Sequence, residues 1–345
     1  MRLAEALLTA LKARGARAVF GIPGDFALPF FKVAEESGVL PLHTLSHEPS
    51  VGFAADGAAR MGDGRTAGGL GVAAVTYGAG ALNMVNPVAA AYVEKSPLVV
   101  ISGAPGRHEG DSGLMIHHQG KTLDSQFNIF KEITCAQTRL DDAAKAPAEI
   151  ARVLGACRAW SRPVYIELPR DMVAAAVAAV PDDPALPFNE EAAAACADDV
   201  LATLAKAARP ALLVCAEVRR YGLEDKVAEL ARRLAVPVVT TFMGRGLLSG
   251  TATPPLGVYL GVAGDEGVTR LVEESDGLLM LGAILCDTNF SISKRKIDMR
   301  RAVHAADRRV SIGWRHYDDL PLDRLVDALL ERLPSEPAAR PAAAV

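Results

Sequence analysis

The sequence has no Cys-x-x-Cys pair. Its five cysteines, Cys135, Cys157, Cys196, Cys215 and Cys286, are scattered, so a disulfide framework or a zinc knuckle has no basis, and buried thiols in a reducing cytoplasm are expected. Charge of one sign is also lacking: 37 Lys and Arg against 41 Asp and Glu leave a formal net charge of -4 and no basic stripe to neutralise a run of phosphates. That argues against a nucleic-acid partner. No export signal is visible either. Arg2, Glu5 and Lys12 interrupt Leu3, Leu7, Leu8 and Leu11, the pattern of an amphipathic helix and not of an apolar signal core. One long uncharged run, Thr66 to Val93, has the length of a membrane span, but Gly68, Gly69, Gly71, Gly78, Gly80, Asn83, Asn86 and Pro87 divide it into a strand, a glycine turn and a helix. It reads as the buried layer of a domain in a protein without a membrane partner.

What is present is a chain of 345 residues, 50% of them hydrophobic, which is more than one core usually organises. Apolar strands at 18–22, 40–45, 71–77, 98–102 and 164–168 alternate with helices that end near Gly15, span 27–36, follow Pro49 and span 81–92. Continuously apolar strands in βα alternation predict a parallel sheet covered on both faces. Prolines 181, 184 and 187 interrupt the pattern. An alanine-rich helix then leads to strands at 211–215, 237–241, 278–282 and 302–305. The expected fold class is therefore α/β, as two consecutive doubly wound domains with mostly parallel sheets, spanning 1–180 and 188–333. Residues 334–345, rich in Pro and Ala, read as a linker-like tail.

Several pieces of this pattern can carry chemistry. Gly21-Ile-Pro-Gly-Asp25 ends a strand in a proline and glycine turn and puts an acid at the carboxyl edge of a sheet, where open α/β sheets place ligands. By itself Asp25 reads first as a helix N-cap. Glu48 stands between a strand and a helix, with Pro49 suited to the first turn; an isolated glutamate there reads as a partner of the helix dipole. A zinc-protease helix is excluded, because Val51 stands where His47-Glu48 would require a second histidine. Thr76-Tyr-Gly-Ala-Gly-Ala-Leu-Asn83 is a strand, a glycine turn and a helix, a geometry that offers backbone N–H groups to a ligand. Asn83 occupies the third-glycine place of a dinucleotide fingerprint, which weakens a nicotinamide reading. His117-His118 lie in a long loop from Arg107 to Lys121. Adjacent side chains diverge in extended backbone, so the two are poor joint metal ligands, although one could face a site while the other orients it.

Together, Gly21-Ile-Pro-Gly-Asp25, His47-Glu48-Pro49 with Ala54 to Arg60, Val75 to Gly80, the His117-His118 pair and Arg162-Pro-Val-Tyr-Ile-Glu-Leu-Pro169 resemble the thiamine diphosphate-dependent 2-oxoacid decarboxylases, in particular the indolepyruvate and phenylpyruvate branch. The resemblance implies a pyrimidine-binding domain followed by the family's central domain, a lyase that releases carbon dioxide and an aldehyde from a 2-oxo acid, and the cofactors thiamine diphosphate and Mg2+. It further implies that Glu48 activates the cofactor through its aminopyrimidine, a role that a mostly apolar surrounding would favour. Asp25, His117 and His118 would serve proton transfer and aldehyde release, and Pro23, Gly24, Thr76 and Gly78 would line the pyrimidine pocket.

The same resemblance implies a third domain with Gly-Asp-Gly and a spaced Asn for the diphosphate and magnesium. Gly62-Asp63-Gly64 follows a helix instead of a strand and has no Asn at the required distance, so it reads as a surface turn, and no metal ligand is assigned to this chain. The expectation is a chain inactive or nearly so by itself, in a homo-oligomer or with a partner chain that carries the diphosphate-binding domain. Two other readings compete. An acetolactate synthase-like carboligase would hold flavin in its central domain, although Gly282 to Phe290 looks like the decarboxylase version. A non-catalytic binding or regulatory subunit would not need Glu48, Asp25, His117 and His118 together.

Overall fold

The computed structural model describes residues 1–61, 69–290 and 296–336. Gly62-Asp63-Gly64 and all of the tail after residue 336 therefore lie outside the described residues. The chain divides into two compact units, Met1–Ala185 and Leu186–Val345.

The first unit is a sheet of six parallel strands, β1 (Val19–Gly21), β2 (Leu42–Thr44), β3 (Gly71–Val75), β4 (Leu98–Ala104), β5 (Ala136–Arg139) and β6 (Val164–Pro169), in the order β2-β1-β3-β4-β6-β5. Side chains alternate across a strand, and here both faces are covered. Val72 and Ala74 of β3, Val99 and Ile101 of β4 and Ile166 of β6 join α1 (Leu3–Ala13), α2 (Leu28–Ser37) and α8 (Ala146–Trp160) in one core. Ala73, Val75, Leu98, Val100 and Tyr165 pack on the opposite face against α3 (Glu48–Met61) and α5 (Val85–Val93). Double coverage is why these strands read as unbroken apolar runs. The buried leucines of α1, Leu3, Leu7, Leu8 and Leu11, keep the helical spacing seen in the sequence.

Two features differ from expectation. A strand absent from the expected series, β5, pairs outside β6 at the edge of the sheet; it alternates buried and half-buried residues, Ala-Gln-Thr-Arg, and so carries no apolar run. The helix expected over 81–92 is two helices, α4 (Ala79–Asn83) and α5, broken at Met84. Pro87 has no N–H for the carbonyl of Asn83, and its ring crowds that carbonyl. Between them in the chain and α8 lie α6 (Arg107–Gly110) and α7 (Ser125–Lys131).

The second unit has seven strands, β7 (Pro210–Val214), β8 (Val238–Thr241), β9 (Val258–Tyr259), β10 (Gly277–Leu281), β11 (Val303–Ala306), β12 (Arg309–Ile312) and β13 (Arg315–Tyr317), ordered β13-β12-β11-β10-β7-β8-β9. The five from β9 to β11 in that order are parallel; β12 and β13 return antiparallel. Helices cover both faces here too. The architecture is α/β throughout, and no helix among the described residues is long and apolar enough to cross a membrane.

Candidate functional site

The strand order of the first unit selects one crevice. From β1 the chain moves outward to β2 and then returns to β3 on the other side of β1. The carboxyl ends of β1 and β3 therefore flank a switch point, the place where open parallel sheets bind ligands. Asp25 follows β1, Glu48 follows β2 and Thr76 follows β3, so all three leave the same edge.

Thr76 ties this edge together. Its hydroxyl donates to Asp25 Oδ1 at 3.3 Å and accepts the Phe26 N–H at 3.3 Å. Glycines on either side allow the approach: a Cβ at Gly24 would stand 2.5 Å from Thr76 Cβ, and one at Gly80 would stand 3.0 Å from Thr76 Cγ2 and 3.6 Å from Glu48 Oε1. Glu48 opens α3 and is half-buried. Asn83 Nδ2 donates to its Oε2 at 3.1 Å, while Oε1 has no protein hydrogen bond among the described residues.

Asp25 is not a helix cap. The residue ahead of α2 is Ala27, and it makes no side-chain capping bond. The Asp25 carboxylate instead receives His117, with Nε2 2.5 Å from Oδ2. Burial pushes the Asp25 carboxyl up, but the His117 hydrogen bond, the Phe26 N–H and Thr76 outweigh it and hold it below the usual carboxylate range. The His117 ring stacks on Phe26 with centroids 4.8 Å apart.

His118 departs from extended backbone, with φ +65°. The two imidazoles consequently meet edge to face, centroids 5.0 Å apart, instead of diverging. His118 also presses its backbone on the glycine turn: Gly78 has φ +68°, and a Cβ there would lie 2.3 Å from His118 O. Only glycine accommodates both conditions. Two of the turn's amides are already bonded. Gly78 N–H goes to Gln126 Oε1 at 2.7 Å, and Ala81 N–H to the Thr76 carbonyl at 3.0 Å. Pro23 is exposed beside Gly24 and ends β1 without an N–H to continue the ladder.

Two participants escaped the sequence reading. Asn83 counted only as a missing glycine, and Gln126 sits in an inconspicuous polar helix. No group of three or more His, Cys, Asp or Glu suited to a metal ion occurs among the described residues. All five cysteines are unpaired thiols. Elsewhere, a cavity of about 500 Å³ in the second unit is lined by Lys206, Arg301 and Arg315, of which the two arginines are paired with Asp276 and Asp199.

Residues 1–129 match the family model of the thiamine pyrophosphate enzyme N-terminal TPP binding domain, and residues 197–333 match that of the thiamine pyrophosphate enzyme central domain. The chain belongs to the thiamine pyrophosphate enzymes. Among its relatives, it is 71% identical over 334 residues to an indole-3-pyruvate decarboxylase of Azospirillum brasilense, a match that covers 97% of this chain and 60% of that protein. It is 32% identical over 343 residues to a pyruvate decarboxylase of Aspergillus terreus, covering 96% of this chain and 58% of the relative. An alpha-keto-acid decarboxylase of Mycobacterium avium is 30% identical over 338 residues, with coverages of 94% and 57%. The chain thus spans about three-fifths of the length of the curated relatives it matches.

Proposed function

We propose that these two domains carry the cofactor-activating side of a decarboxylase that converts an aromatic 2-oxo acid, of the indolepyruvate or phenylpyruvate type, into an aldehyde and carbon dioxide. The reading is supported by the 71% identity to a protein named indole-3-pyruvate decarboxylase. The observation that carries it is Glu48, one oxygen tethered by Asn83 and the other open across Gly80 from Thr76.

The residues present fit the family's cofactor. Gly24 packs so closely on Thr76 that a Cβ would clash, and Gly80 keeps a slot beside Glu48 Oε1, unpartnered among the described residues, where a Cβ would stand 3.0 Å from Thr76 Cγ2 and 3.6 Å from that oxygen. A flat aminopyrimidine with a ring nitrogen at its rim suits such a slot, with Glu48 as the group that holds it and Pro23, Gly24, Thr76 and Gly78 around it. Thiamine diphosphate, when bound, supplies an electron sink for the pair left as carbon dioxide departs.

The chain's own groups handle protons. Glu48 takes up or releases one at Oε1 while Asn83 keeps Oε2 in place. Asp25 is ionised and can only accept, so the proton shared with His117 resides on Nε2. The Asp25–His117 pair stands where it can relay the proton that replaces the departing carboxyl group at the acyl carbon, and His118 braces the imidazole. Magnesium and the diphosphate belong to a diphosphate-binding domain on the same polypeptide or on another subunit of an oligomer. Unpaired thiols suit action in the cytoplasm.

The test is aldehyde production from phenylpyruvate and indolepyruvate by the chain assembled with a diphosphate-binding domain, thiamine diphosphate and magnesium. Activity is expected, and Glu48→Gln is expected to abolish it with an unchanged circular dichroism spectrum. No aldehyde under any pairing, or full activity in the Gln variant, overturns the proposal.

A further inference from the structure

Beneath the glycine turn lies a buried polar chain that the proposed chemistry does not use. It includes Glu167, in the Arg162 to Pro169 motif. Gln126 is 3% exposed, Glu167 1%, and Ser102 and Tyr165 are fully buried. While Gln126 Oε1 accepts the Gly78 N–H, its Nε2 lies 2.5 Å from the Tyr165 hydroxyl, 3.1 Å from Ser102 Oγ and 3.4 Å from Glu167 Oε1. Tyr165 donates to Glu167 Oε1 at 2.9 Å and Arg139 Nε to Oε2 at 2.7 Å.

One charge sets the direction of every bond. A carboxylate only accepts, so Tyr165 donates its O–H to Glu167 and turns lone pairs toward Gln126. Ser102 directs its own proton to the Gly103 carbonyl at 2.8 Å and likewise offers Gln126 only an acceptor. The amide of Gln126 must therefore point its NH2 inward and its carbonyl toward Gly78. Reversed, it would set lone pair against lone pair and leave a buried Gly78 N–H without an acceptor.

Gly78 is in turn the surface on which the His118 backbone rests, and His118 touches His117. We propose that Gln126 is a positioning residue of this site: its carbonyl, oriented by Glu167 through Tyr165, fixes the Gly78 turn and with it the two histidines opposite Asp25. The inference rests on the decarboxylase reading, which gives the histidines their role.

A glutamate at 126 distinguishes positioning from packing. The charged and titratable groups around that place are Glu167 and Tyr165 on β6, Arg139 on β5, Asp124 ahead of α7, Tyr77 after β3 and His118 across Gly78. Protonated, the Gln126→Glu side chain reproduces the amide pattern, its O–H donating inward and its C=O accepting from Gly78. Ionised, it faces Glu167 as a like charge and cannot donate.

In the assembled holoenzyme, Gln126→Ala is expected to lower kcat about tenfold with little change in KM. Gln126→Glu, relative to the parent at each pH, is expected to approach parental kcat in acid and to fall about tenfold as the pH rises. Hydrogen exchange of the peptide containing Gly78, measured in the cofactor-free chain, is expected to quicken about tenfold in Gln126→Ala and, relative to the parent, only at the higher pH in Gln126→Glu. A pH-independent ratio to the parent for the Glu variant, or parental Gly78 exchange in both variants, overturns the inference. Glu48→Gln is assayed in parallel. Its full activity would sink the decarboxylase reading itself, whereas its loss of activity alongside parent-like Gln126 variants sinks the positioning role alone.

Discussion

His117 Nε2 lies 2.5 Å from Asp25 Oδ2, although 92 positions separate the two residues in the chain. Their side chains are 60% and 44% exposed, so neither supports the core. The pair is expected to act as one device: Asp25→Asn and His117→Ala should each reduce aldehyde formation in the assembled enzyme by about 10²-fold, with the double variant little worse than either single. A double-mutant cycle on kcat checks this, and additive losses would show that the two act separately.

Gly80 tests the slot beside Glu48. A methyl group there would fill the space between Thr76 Cγ2 and Glu48 Oε1, while helix propensity favours Ala over Gly by about 1 kcal/mol. Gly80→Ala should therefore keep the melting temperature within a few degrees and weaken thiamine diphosphate binding about tenfold. Titration of the assembled apoenzyme with cofactor measures it; parental affinity would mean that the slot is not the pyrimidine site.

Gly78→Ala acts by a different route. The positive φ and the 2.3 Å approach to the His118 carbonyl give the methyl group nowhere to go, and a cost of about 1–3 kcal/mol is expected. Urea unfolding of the chain reports the loss. Limited proteolysis should show faster cleavage within 107–124, because displacement of His118 loosens that loop.

Phe130 is fully buried and stacks on Tyr165, centroids 4.0 Å apart and planes within 4°. Phe130→Ala is expected to cost about 3–5 kcal/mol, a value to be read from denaturant unfolding followed by a probe in the first unit.

Acid should loosen the Asp25 contact in a defined direction. Because the folded-state pKa of Asp25 is lowered, its contribution to stability is complete above the ordinary carboxylate value and disappears as the pH falls through the lowered one. Asp25→Asn should flatten that part of the acid limb, lowering stability near neutral pH, where the ionised carboxylate contributes, and matching the parent in acid. Glu167 has the opposite sign, since burial raises it against the pull of Arg139. Its protonated form favours folding, and that advantage fades as the pH rises through the raised value.

Much of the sheet was legible because β3, β4, β6, β7 and β10 are buried on both faces and so consist almost wholly of apolar residues. β5 and the β12–β13 ribbon were not, since half-exposed strands at or next to a sheet edge, such as Arg309–Ile312 and Arg315–Tyr317, are too polar to resemble strands. At the candidate site, Asp25, Glu48 and Thr76 stood out because each ends a strand, a place that local sequence reveals. Asn83 and Gln126 did not. Both are polar residues on short helices, and only the fold, which brings Glu48 of α3 to Asn83 and the Gly78 turn, β4 and β6 to Gln126, gives their side chains a partner. The break at Met84 was implicit in Pro87, but a continuous helical spacing on either side concealed it.

The Asn83 tether on Glu48 has a further consequence. The two oxygens of a free carboxylate are interchangeable by rotation about its last side-chain bond, so a ligand that needs one of them must also arrest that rotation. With Oε2 held and Oε1 left over, this symmetry is already broken. Whatever approaches through the Gly80 opening meets a single, stationary oxygen, and the ordering cost of choosing between two has been met by folding.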